Sequence, residues 1–177
     1  MKHEPLSTYR VQLNSHFGFD DAAAIVPYLD ELGVDSLYCS PYFQAAPGST
    51  HGYDVVDHSK VNRELGGEPA YDRMCDALSQ RRMGQVLDIV PNHMAIHREN
   101  PWWWDVLQNG PSSAYAAFFD VDWEPPERRI HNIVLMPVLE DQYGVLLEAG
   151  KLKVVREGGT FEVRNGGSNV LDRKSVV

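Results

Sequence analysis

Gly84-Gln-Val-Leu-Asp-Ile-Val-Pro-Asn-His-Met-Ala-Ile96 is the stretch of sequence that best indicates the fold of this chain. It contains four apolar residues, at positions 86, 87, 89 and 90, which are typical of a buried strand. It also contains three polar side chains, Asp88, Asn92 and His93. In parallel α/β folds, ligands bind outside the carboxyl ends of the strands. The stretch therefore predicts a strand whose end delivers a carboxylate, an amide and an imidazole to one site.

Upstream of this stretch, strand and helix patterns alternate. The predicted elements are a strand at 9–13, a helix at 19–32, a strand at 34–40, a polar loop without clear period at 44–67, a helix at 68–82 and a strand at 84–90. Asp20 is predicted to cap the first helix, Pro27 to kink it or mark its start, and Gly33 to end it. Right-handed crossovers make such a sheet parallel. Long loops at the strand ends favour α/β architecture of the TIM (β/α)8 barrel type, of which this chain supplies about three β/α units.

The pattern changes after residue 99. Asn100, followed by Pro101, predicts a helix start. Short extended runs are then predicted at 133–139, 144–147, 152–155 and 161–163, with a hairpin turn at Gly158-Gly159. We interpret 1–99 as the N-terminal part of the barrel, 100–164 as an incomplete helical and β subdomain inserted after strand three, and 165–177 as a tail.

Composition and charge narrow the class of protein. The chain has 177 residues and a formal net charge of -9, which argues against a nucleic-acid partner. No apolar stretch approaches the ~18 residues of a membrane span, and no secretory signal is visible. Cys39 and Cys75 have neither the CxxC spacing nor a nearby histidine at a metal-binding spacing, so we expect buried free thiols of a cytoplasmic protein.

A second polar loop follows the preceding strand and strengthens the prediction of a site. Tyr53 offers an aromatic face to a pyranose ring, and Gly52 lets the backbone approach a ligand closely. Asp54 or Asp57 could accept hydrogen bonds from sugar hydroxyls. Either loop alone would be interpreted as an ordinary polar turn. Two such loops after consecutive strands predict a sugar site that includes Asp88, Asn92 and His93.

Two other groups of residues invite functional claims that the sequence does not support. Residues 102–104 are three successive tryptophans, which point about 100° apart on a helix, so at least one must lie in the core. His51, His93 and His97 lack the spacing of known metal-binding motifs. We therefore expect no metal site.

The motifs resemble those of the α-amylase superfamily of glycoside hydrolases. The stretches that carry this resemblance are Ser7-Thr-Tyr-Arg-Val-Gln-Leu13, Leu32-Gly-Val34, Gly48-Ser-Thr-His-Gly-Tyr-Asp-Val-Val-Asp57, Asn62-Arg-Glu-Leu-Gly-Gly67 and Asp88-Ile-Val-Pro-Asn-His93. Two further stretches, Asn100-Pro-Trp-Trp-Trp-Asp-Val-Leu107 and Phe118-Phe-Asp-Val-Asp-Trp123, are similar to the maltooligosyl trehalose synthase family.

This resemblance implies a fold, an activity and a set of site residues. The fold is a (β/α)8 barrel with a subdomain after strand three. The activity is an intramolecular transglucosylation, in which the reducing-end α-1,4 bond of a maltooligosaccharide becomes an α,α-1,1 bond. Tyr53 would stack on the sugar, Asp54 and His93 would bind its hydroxyls, and the site would be supported by Gly52, Asp88 and Asn92. No cofactor and no calcium are expected.

The resemblance also implies that the reacting groups lie elsewhere. The nucleophile and the acid/base are expected on strands four, five and seven of the barrel, which we do not find in this chain. Residues 165–177 do not resemble the family. We therefore expect the chain to have no catalytic residue of its own and to be inactive alone. Two alternatives stay open, namely a hydrolase or glucosyltransferase of the same superfamily and a non-catalytic glucan-binding module.

Overall fold

A computed structural model describes residues 4–136, 139–157, 160–165, 169–171 and 175–176. The chain forms two compact units, residues 1–99 and 100–177. This division falls where the sequence pattern changes. The interpretation of the units as part of a barrel and an inserted subdomain stays a prediction.

The first unit contains the predicted strands and helices in the predicted order, together with two strands that were not predicted. Its elements are β1 (Thr8–Val11), α1 (Phe19–Glu31), β2 (Ser36–Cys39), β3 (Phe43–Ala45), β4 (Val55–Val61), a 3-10 turn (Arg63–Leu65), α2 (Gly67–Gln80) and β5 (Gly84–Leu87). β1, β2 and β5 form a parallel sheet with β2 in the centre. Val11 pairs with Cys39, and Cys39 pairs with Leu87, so the three strands end at the same level.

The core of this unit lies between the parallel sheet and the two helices. Leu37 and Cys39 on β2 are fully buried, as are Phe19 and Leu29 on α1. Burial also raises the pKa of the Cys39 thiol to about 11, because the charged thiolate is disfavoured away from water. Cys39 thus confirms the prediction of a buried free thiol. Cys75, on α2, is free but only half-buried, so the prediction is wrong there.

The ends of α1 differ in part from the prediction. Gly18 is the N-cap, and its amide donates to the carboxylate of Asp21 at 2.8 Å, so Asp20 is not the cap. The helix runs through Pro27 and does not begin there. Pro27 is exposed, so the ring does not disturb the face that packs on the sheet. Gly33 has φ of +85°, which confirms it as the left-handed residue after the helix.

The segment predicted as a loop at 44–67 contains regular structure, so that prediction is wrong. β3 and β4 pair antiparallel, with Ala45 opposite Val55 and Phe43 opposite Val61. The register shifts on both sides of Gln44. Such bulges break the alternation of inward and outward side chains, which removes the period-two signal by which a strand is found in a sequence.

β5 is shorter and more exposed than the sequence indicates. The strand ends at Leu87 and pairs with β2, and the side chains of Leu87 and Ile89 are 52% and 61% exposed. The prediction of a buried strand at 84–90 is therefore wrong at these residues, whereas Val90 is buried. An apolar run shows which residues prefer burial but not whether a neighbouring element covers them.

The second unit combines short helices with β-structure. Its elements are α3 (Pro101–Asn109), 3-10 turns (Gly110–Ser112, Ala116–Phe118 and Arg128–Ile130), β6 (Val134–Leu135), α4 (Tyr143–Glu148), β7 (Leu152–Glu157), β8 (Thr160–Asn165), β9 (Asn169–Leu171) and β10 (Ser175–Val176). β7, β8 and β9 form an antiparallel sheet, and β10 pairs parallel with β6. The predicted turn at Gly158-Gly159 lies outside the described residues, although Glu157 and Thr160 pair on either side of it.

Two predictions for α3 are confirmed and one prediction further along the chain is wrong. The Asn100 side chain accepts from the amides of Trp102 and Trp103, at 3.2 and 3.1 Å, as a helix cap. Trp103 is only 8% exposed and packs in the core of the second unit. Residues 144–147, predicted as extended, belong to α4, and only Leu146 of this helix is buried.

None of the helices described here is long and apolar enough to cross a lipid bilayer.

We expect Phe19→Ala to lower the free energy of unfolding of the first unit by about 3–5 kcal/mol, because it opens a cavity where a fully buried ring packs. Tyr28→Ala on the same helix is the matched control, since Tyr28 is 61% exposed. The control should change the free energy by no more than about 0.5 kcal/mol. Urea titration followed through the amide NMR signals of α1 measures both variants, and equal effects would contradict this packing.

Candidate sugar site at the ends of the parallel strands

The polar face of the parallel sheet gathers side chains from all three strands. Val11 and Cys39 face the helices. Successive side chains alternate across a strand, so Arg10 and Tyr38, which pair in register, face the other way. Val86 pairs with Tyr38, and Asp88 follows two residues later at the end of β5. The fold thereby brings a cation, a phenol and a carboxylate to one edge of the sheet.

Tyr53, from the loop before β4, connects these side chains. Its hydroxyl donates to Asp88 Oδ2 at 2.7 Å, and the Tyr38 hydroxyl donates to the same oxygen at 3.1 Å. Arg10 Nη2 donates to the Tyr53 hydroxyl at 3.2 Å. The direction of each bond is fixed, because a guanidinium only donates and a carboxylate only accepts.

These contacts shift the pKa values of the two groups that they join. The bond to Asp88 raises the pKa of the Tyr53 phenol, because a phenolate would face the carboxylate, and the bond from Arg10 partly opposes this rise. The bond to Tyr53 raises the pKa of the Arg10 guanidinium. The cluster therefore consists of one cation, one carboxylate, the Tyr38 hydroxyl and a Tyr53 phenol that is held in its neutral form.

The backbone of the Tyr53 loop is held from two neighbouring strands. Gln12, after β1, donates through Nε2 to the carbonyl oxygens of Thr50 and His51, both at 3.2 Å. Gly52 has φ of +79°, and a Cβ atom there would lie 2.9 Å from the carbonyl oxygen of Pro41, after β2. A glycine is required at this position both for its backbone conformation and for the close approach to Pro41.

Asp54 is bound within its own loop. Its Oδ1 accepts a hydrogen bond from the Ser49 hydroxyl and lies 3.7 Å from His51 Nδ1. Ser49 Oγ in turn accepts from the amide of Gly52 at 3.0 Å. The half-buried Asp54 carboxylate therefore stabilises the turn that carries Tyr53.

His93 reaches the same loop from the end of β5. Its Nε2 lies 3.1 Å from the carbonyl oxygen of Tyr53, and its Nδ1 lies 3.2 Å from Asn92 Oδ1. Because a carbonyl oxygen only accepts, a hydrogen bond to Tyr53 requires the Nε2–H tautomer, in which Nδ1 has no proton to donate to Asn92. The imidazole and Asn92 are both exposed. His93 thus joins the loop to β5 while its ring stays accessible to a ligand.

The structure brings the predicted residues together to different degrees. Tyr53 and Asp88 are in direct contact, and His93 bonds to the Tyr53 backbone. Gly52 and Asp54 shape the same loop, and Asn92 contacts His93. The sugar-binding roles given to these residues stay predictions.

Sequence reasoning missed Arg10, Gln12 and Tyr38. The sequence did contain a signal for Arg10 and Gln12. Side chains alternate along a strand, so a strand that turns Val11 towards the core places both of these residues on the opposite face.

The chemistry of this cluster suits a neutral, polyhydroxylated ligand. It offers carboxylate, phenol, guanidinium and imidazole groups beside an aromatic ring, and such groups bind hydroxyls by hydrogen bonds and C–H surfaces by stacking. Among the residues that the structure describes, no group of three or more His, Cys, Asp or Glu side chains could hold a metal ion.

Comparison with known proteins identifies the class. The family model of the α-amylase catalytic domain matches residues 23–144. The chain therefore belongs to the α-amylase catalytic-domain family, and its parallel sheet with helices is a partial α/β barrel.

Individual relatives indicate which enzymes of this family the chain resembles. The chain is 48% identical over 141 residues to a protein of Mycobacterium tuberculosis that carries the name maltooligosyl trehalose synthase, a match covering 76% of this chain and 18% of the relative. It is 33% identical over 133 residues to an intracellular maltogenic amylase of Bacillus subtilis, covering 74% of this chain and 20% of that protein.

A solved structure agrees with the first of these relatives. A crystal structure of a maltooligosyl trehalose synthase superposes with a TM-score of 0.86 at 37% identity, over 98% of this chain and 23% of that one. These matches confirm the resemblance to maltooligosyl trehalose synthases. The chain spans about a fifth of the length of the relatives that it matches.

Gly52→Ala is expected to destabilise the first unit more than Gly48→Ala does. Both glycines have positive φ, of +79° and +75°, so each substitution costs about 1–2 kcal/mol in backbone strain. Only at Gly52 does the new Cβ also meet the backbone of Pro41, whereas nothing lies within 4 Å at Gly48. Urea titration of both variants measures the difference. Equal losses would show that the close approach to Pro41 is unimportant.

Asp88→Asn is expected to lower the pKa of Tyr53, because the carboxylate that favours the protonated phenol loses its charge. This shift also makes the stability of the fold depend on pH. The pKa of Tyr53 is higher in the folded chain than in the unfolded chain, where a tyrosine has a pKa of about 10. The resulting stabilisation is fully present below the unfolded-state pKa and is lost as pH rises through the folded-state pKa. NMR titration of 13Cζ-labelled tyrosine, assigned with Tyr53→Phe, measures the shift, and a pKa unchanged by Asp88→Asn contradicts the assignment.

Proposed function

We propose that this chain is the N-terminal part of the catalytic barrel of a maltooligosyl trehalose synthase, and that its polar strand ends bind the maltooligosaccharide substrate. The observation that carries this proposal is the 48% identity over 141 residues to a relative of that name. The maltogenic amylase relative is less similar, at 33%. The substrate class proposed is therefore an α-1,4-glucan.

The proposed reaction follows the logic of a retaining glycosidase. A carboxylate attacks the anomeric carbon of the penultimate glucose, and an acid protonates the departing O4 of the reducing-end glucose. The anomeric hydroxyl of that released glucose then attacks the glycosyl-enzyme, and its proton passes to the acid/base group. One α-1,4 bond is broken and one α,α-1,1 bond is formed with no net use of water. Exclusion of water from the site separates this outcome from hydrolysis.

Within that reaction, we assign substrate contacts rather than reacting groups to this chain. Its first unit supplies three parallel strands, whereas the resemblance assigns the nucleophile and the acid/base to strands four, five and seven. Asp88 already accepts from two phenols, which suits a supporting carboxylate better than a nucleophile. The chain alone should therefore bind a glucan without converting it.

The contacts of Tyr53, His93 and Asp54 support distinct roles. Tyr53 presents a ring whose hydroxyl is anchored to Asp88, so the ring is oriented before a sugar arrives. His93 is exposed beside it and is proposed to bind a hydroxyl group. Asp54 keeps one oxygen for Ser49, and its second oxygen is proposed to accept from the sugar. Gly52 and Asn92 are proposed to support these three residues.

The place of the second unit in the barrel and the cellular role of the protein belong to the same proposal. We propose that residues 100–164 form a subdomain inserted after the third barrel strand, as the resemblance implies. Cytoplasmic localisation and a role in trehalose formation are proposed with it. No nucleic-acid partner is expected from a net charge of -9.

Isothermal titration of the 177-residue chain with maltopentaose tests the proposal. We expect saturable binding that Tyr53→Ala weakens about tenfold, which corresponds to about 1.4 kcal/mol for the lost ring face. Tyr28→Ala is the control, because Tyr28 is exposed on α1 in the same unit. Absence of binding to the wild-type chain would contradict the proposed sugar site.

Chromatography of the same mixtures identifies any products. We expect no conversion by the chain alone. Release of glucose or maltose would favour the amylase-type alternative. A trehalosyl product would show that reacting carboxylates lie within these 177 residues, contrary to the proposal. Binding without conversion agrees both with the synthase fragment and with a glucan-binding module.

A further inference from the structure

Arg10 contacts the sugar site without being one of the residues assigned to it. It lies on β1 and pairs in register with Tyr38, on the sheet face opposite the helices. One nitrogen, Nη2, donates both to Gln12 Oε1 at 3.1 Å and to the Tyr53 hydroxyl at 3.2 Å. The guanidinium carbon also lies 5.5 Å from the centre of the Tyr38 ring, within the range of a cation–π contact.

The directions of the hydrogen bonds show that Arg10 is the donor to the Tyr53 hydroxyl. Tyr53 has one hydroxyl proton, which it donates to Asp88, so its oxygen must accept from Arg10. The phenol oxygen is therefore held by two contacts, which restrict the tilt of the ring more than either contact alone. Without Arg10, the phenol would keep Asp88 as its acceptor but would lose its donor.

We propose that Arg10 is a positioning residue of the sugar site, which holds the Tyr53 ring in the orientation that contacts a pyranose. Gln12, two residues further along, holds the backbone of the same loop through the carbonyl groups of Thr50 and His51. The end of β1 thus orients both the main chain and the side chain that carry the aromatic face. This inference rests on the proposed function, because it takes Tyr53 to be a sugar-binding residue.

Arginine suits this role better than lysine. Its planar guanidinium can donate to two acceptors while it lies against an aromatic ring, whereas an ammonium group is a compact and strongly hydrated charge. The three contacts of Arg10, to Gln12, Tyr53 and the Tyr38 ring, use these properties together. Lysine at this position would keep the charge but could not reproduce all three contacts.

Tyr53 itself reports whether Arg10 occupies this position. Asp88 raises the pKa of the phenol and Arg10 lowers it, so removal of the two partners shifts the titration in opposite directions. The other polar groups around Tyr53 are Tyr38, which shares Asp88, His51, whose ring stacks at 6.0 Å, and His93, which contacts the Tyr53 carbonyl.

The experiment compares Arg10→Gln and Arg10→Lys with a matched control. Arg82→Gln removes the same charge from an exposed turn after α2. Far-UV circular dichroism and a cooperative thermal melt verify that each variant is folded. Isothermal titration with maltopentaose gives the affinity, and 13Cζ-tyrosine NMR gives the pKa of Tyr53. Arg10→Lys keeps the test informative if Arg10→Gln does not fold.

We expect Arg10→Gln to weaken maltopentaose binding about three- to tenfold, the effect of one lost hydrogen bond of ordinary strength. The same variant should raise the pKa of Tyr53, whereas Asp88→Asn lowers it. Arg10→Lys should weaken binding by a smaller factor, and Arg82→Gln should change neither quantity.

Two results would overturn the inference, and they differ from each other. If Arg10→Gln and Arg10→Lys leave both the affinity and the pKa of Tyr53 unchanged while the wild-type chain binds maltopentaose, Arg10 does not position the ring and the proposed function survives. If the wild-type chain does not bind maltopentaose although Arg10→Gln shifts the pKa of Tyr53, the contact is structural only and the proposed function fails.

Discussion

The parallel pairing of β1, β2 and β5 is the constraint on which the candidate site depends. Strand pairing in register fixes both the level at which each strand ends and the face to which each side chain points. Arg10, Tyr38 and Val86 therefore lie side by side, and Asp88 follows at the edge. A slip of one residue in any strand would turn its polar side chain towards the helices and its apolar neighbour towards the site.

The loop before β4 adds the aromatic residue to this edge, and all three parallel strands help to hold that loop in place. β1 supplies the donors of Arg10 and Gln12, the end of β2 supplies the tight contact of Pro41 with Gly52, and the end of β5 supplies Asp88 and His93. The conformational entropy of the loop is lost when the unit folds and not when a ligand binds. A ring oriented in advance binds more tightly because less ordering remains to oppose the association.

The charges of the cluster also suit the ligand proposed for this site. One guanidinium and one carboxylate contact the same phenol, and the bond to Asp88 favours its neutral form. The local charge is thus balanced although the chain as a whole carries -9. A balanced set of donors and acceptors suits an uncharged ligand with hydroxyl groups, as proposed for this site.

The sequence by itself determined the order of strands and helices in the first unit, the glycine after α1, the Asn100 cap and the resemblance to the α-amylase superfamily. These features depend on local side-chain chemistry and on periodicity within one element. The tertiary structure alone decided that β3 and β4 pair within the predicted loop, that Leu87 and Ile89 are exposed, and that Arg10 contacts Tyr53. Each of these depends on which distant segment of the chain lies beside a residue. Arg10 and Tyr53, for example, are separated by 43 positions in the sequence, and no local pattern predicts a contact over that separation.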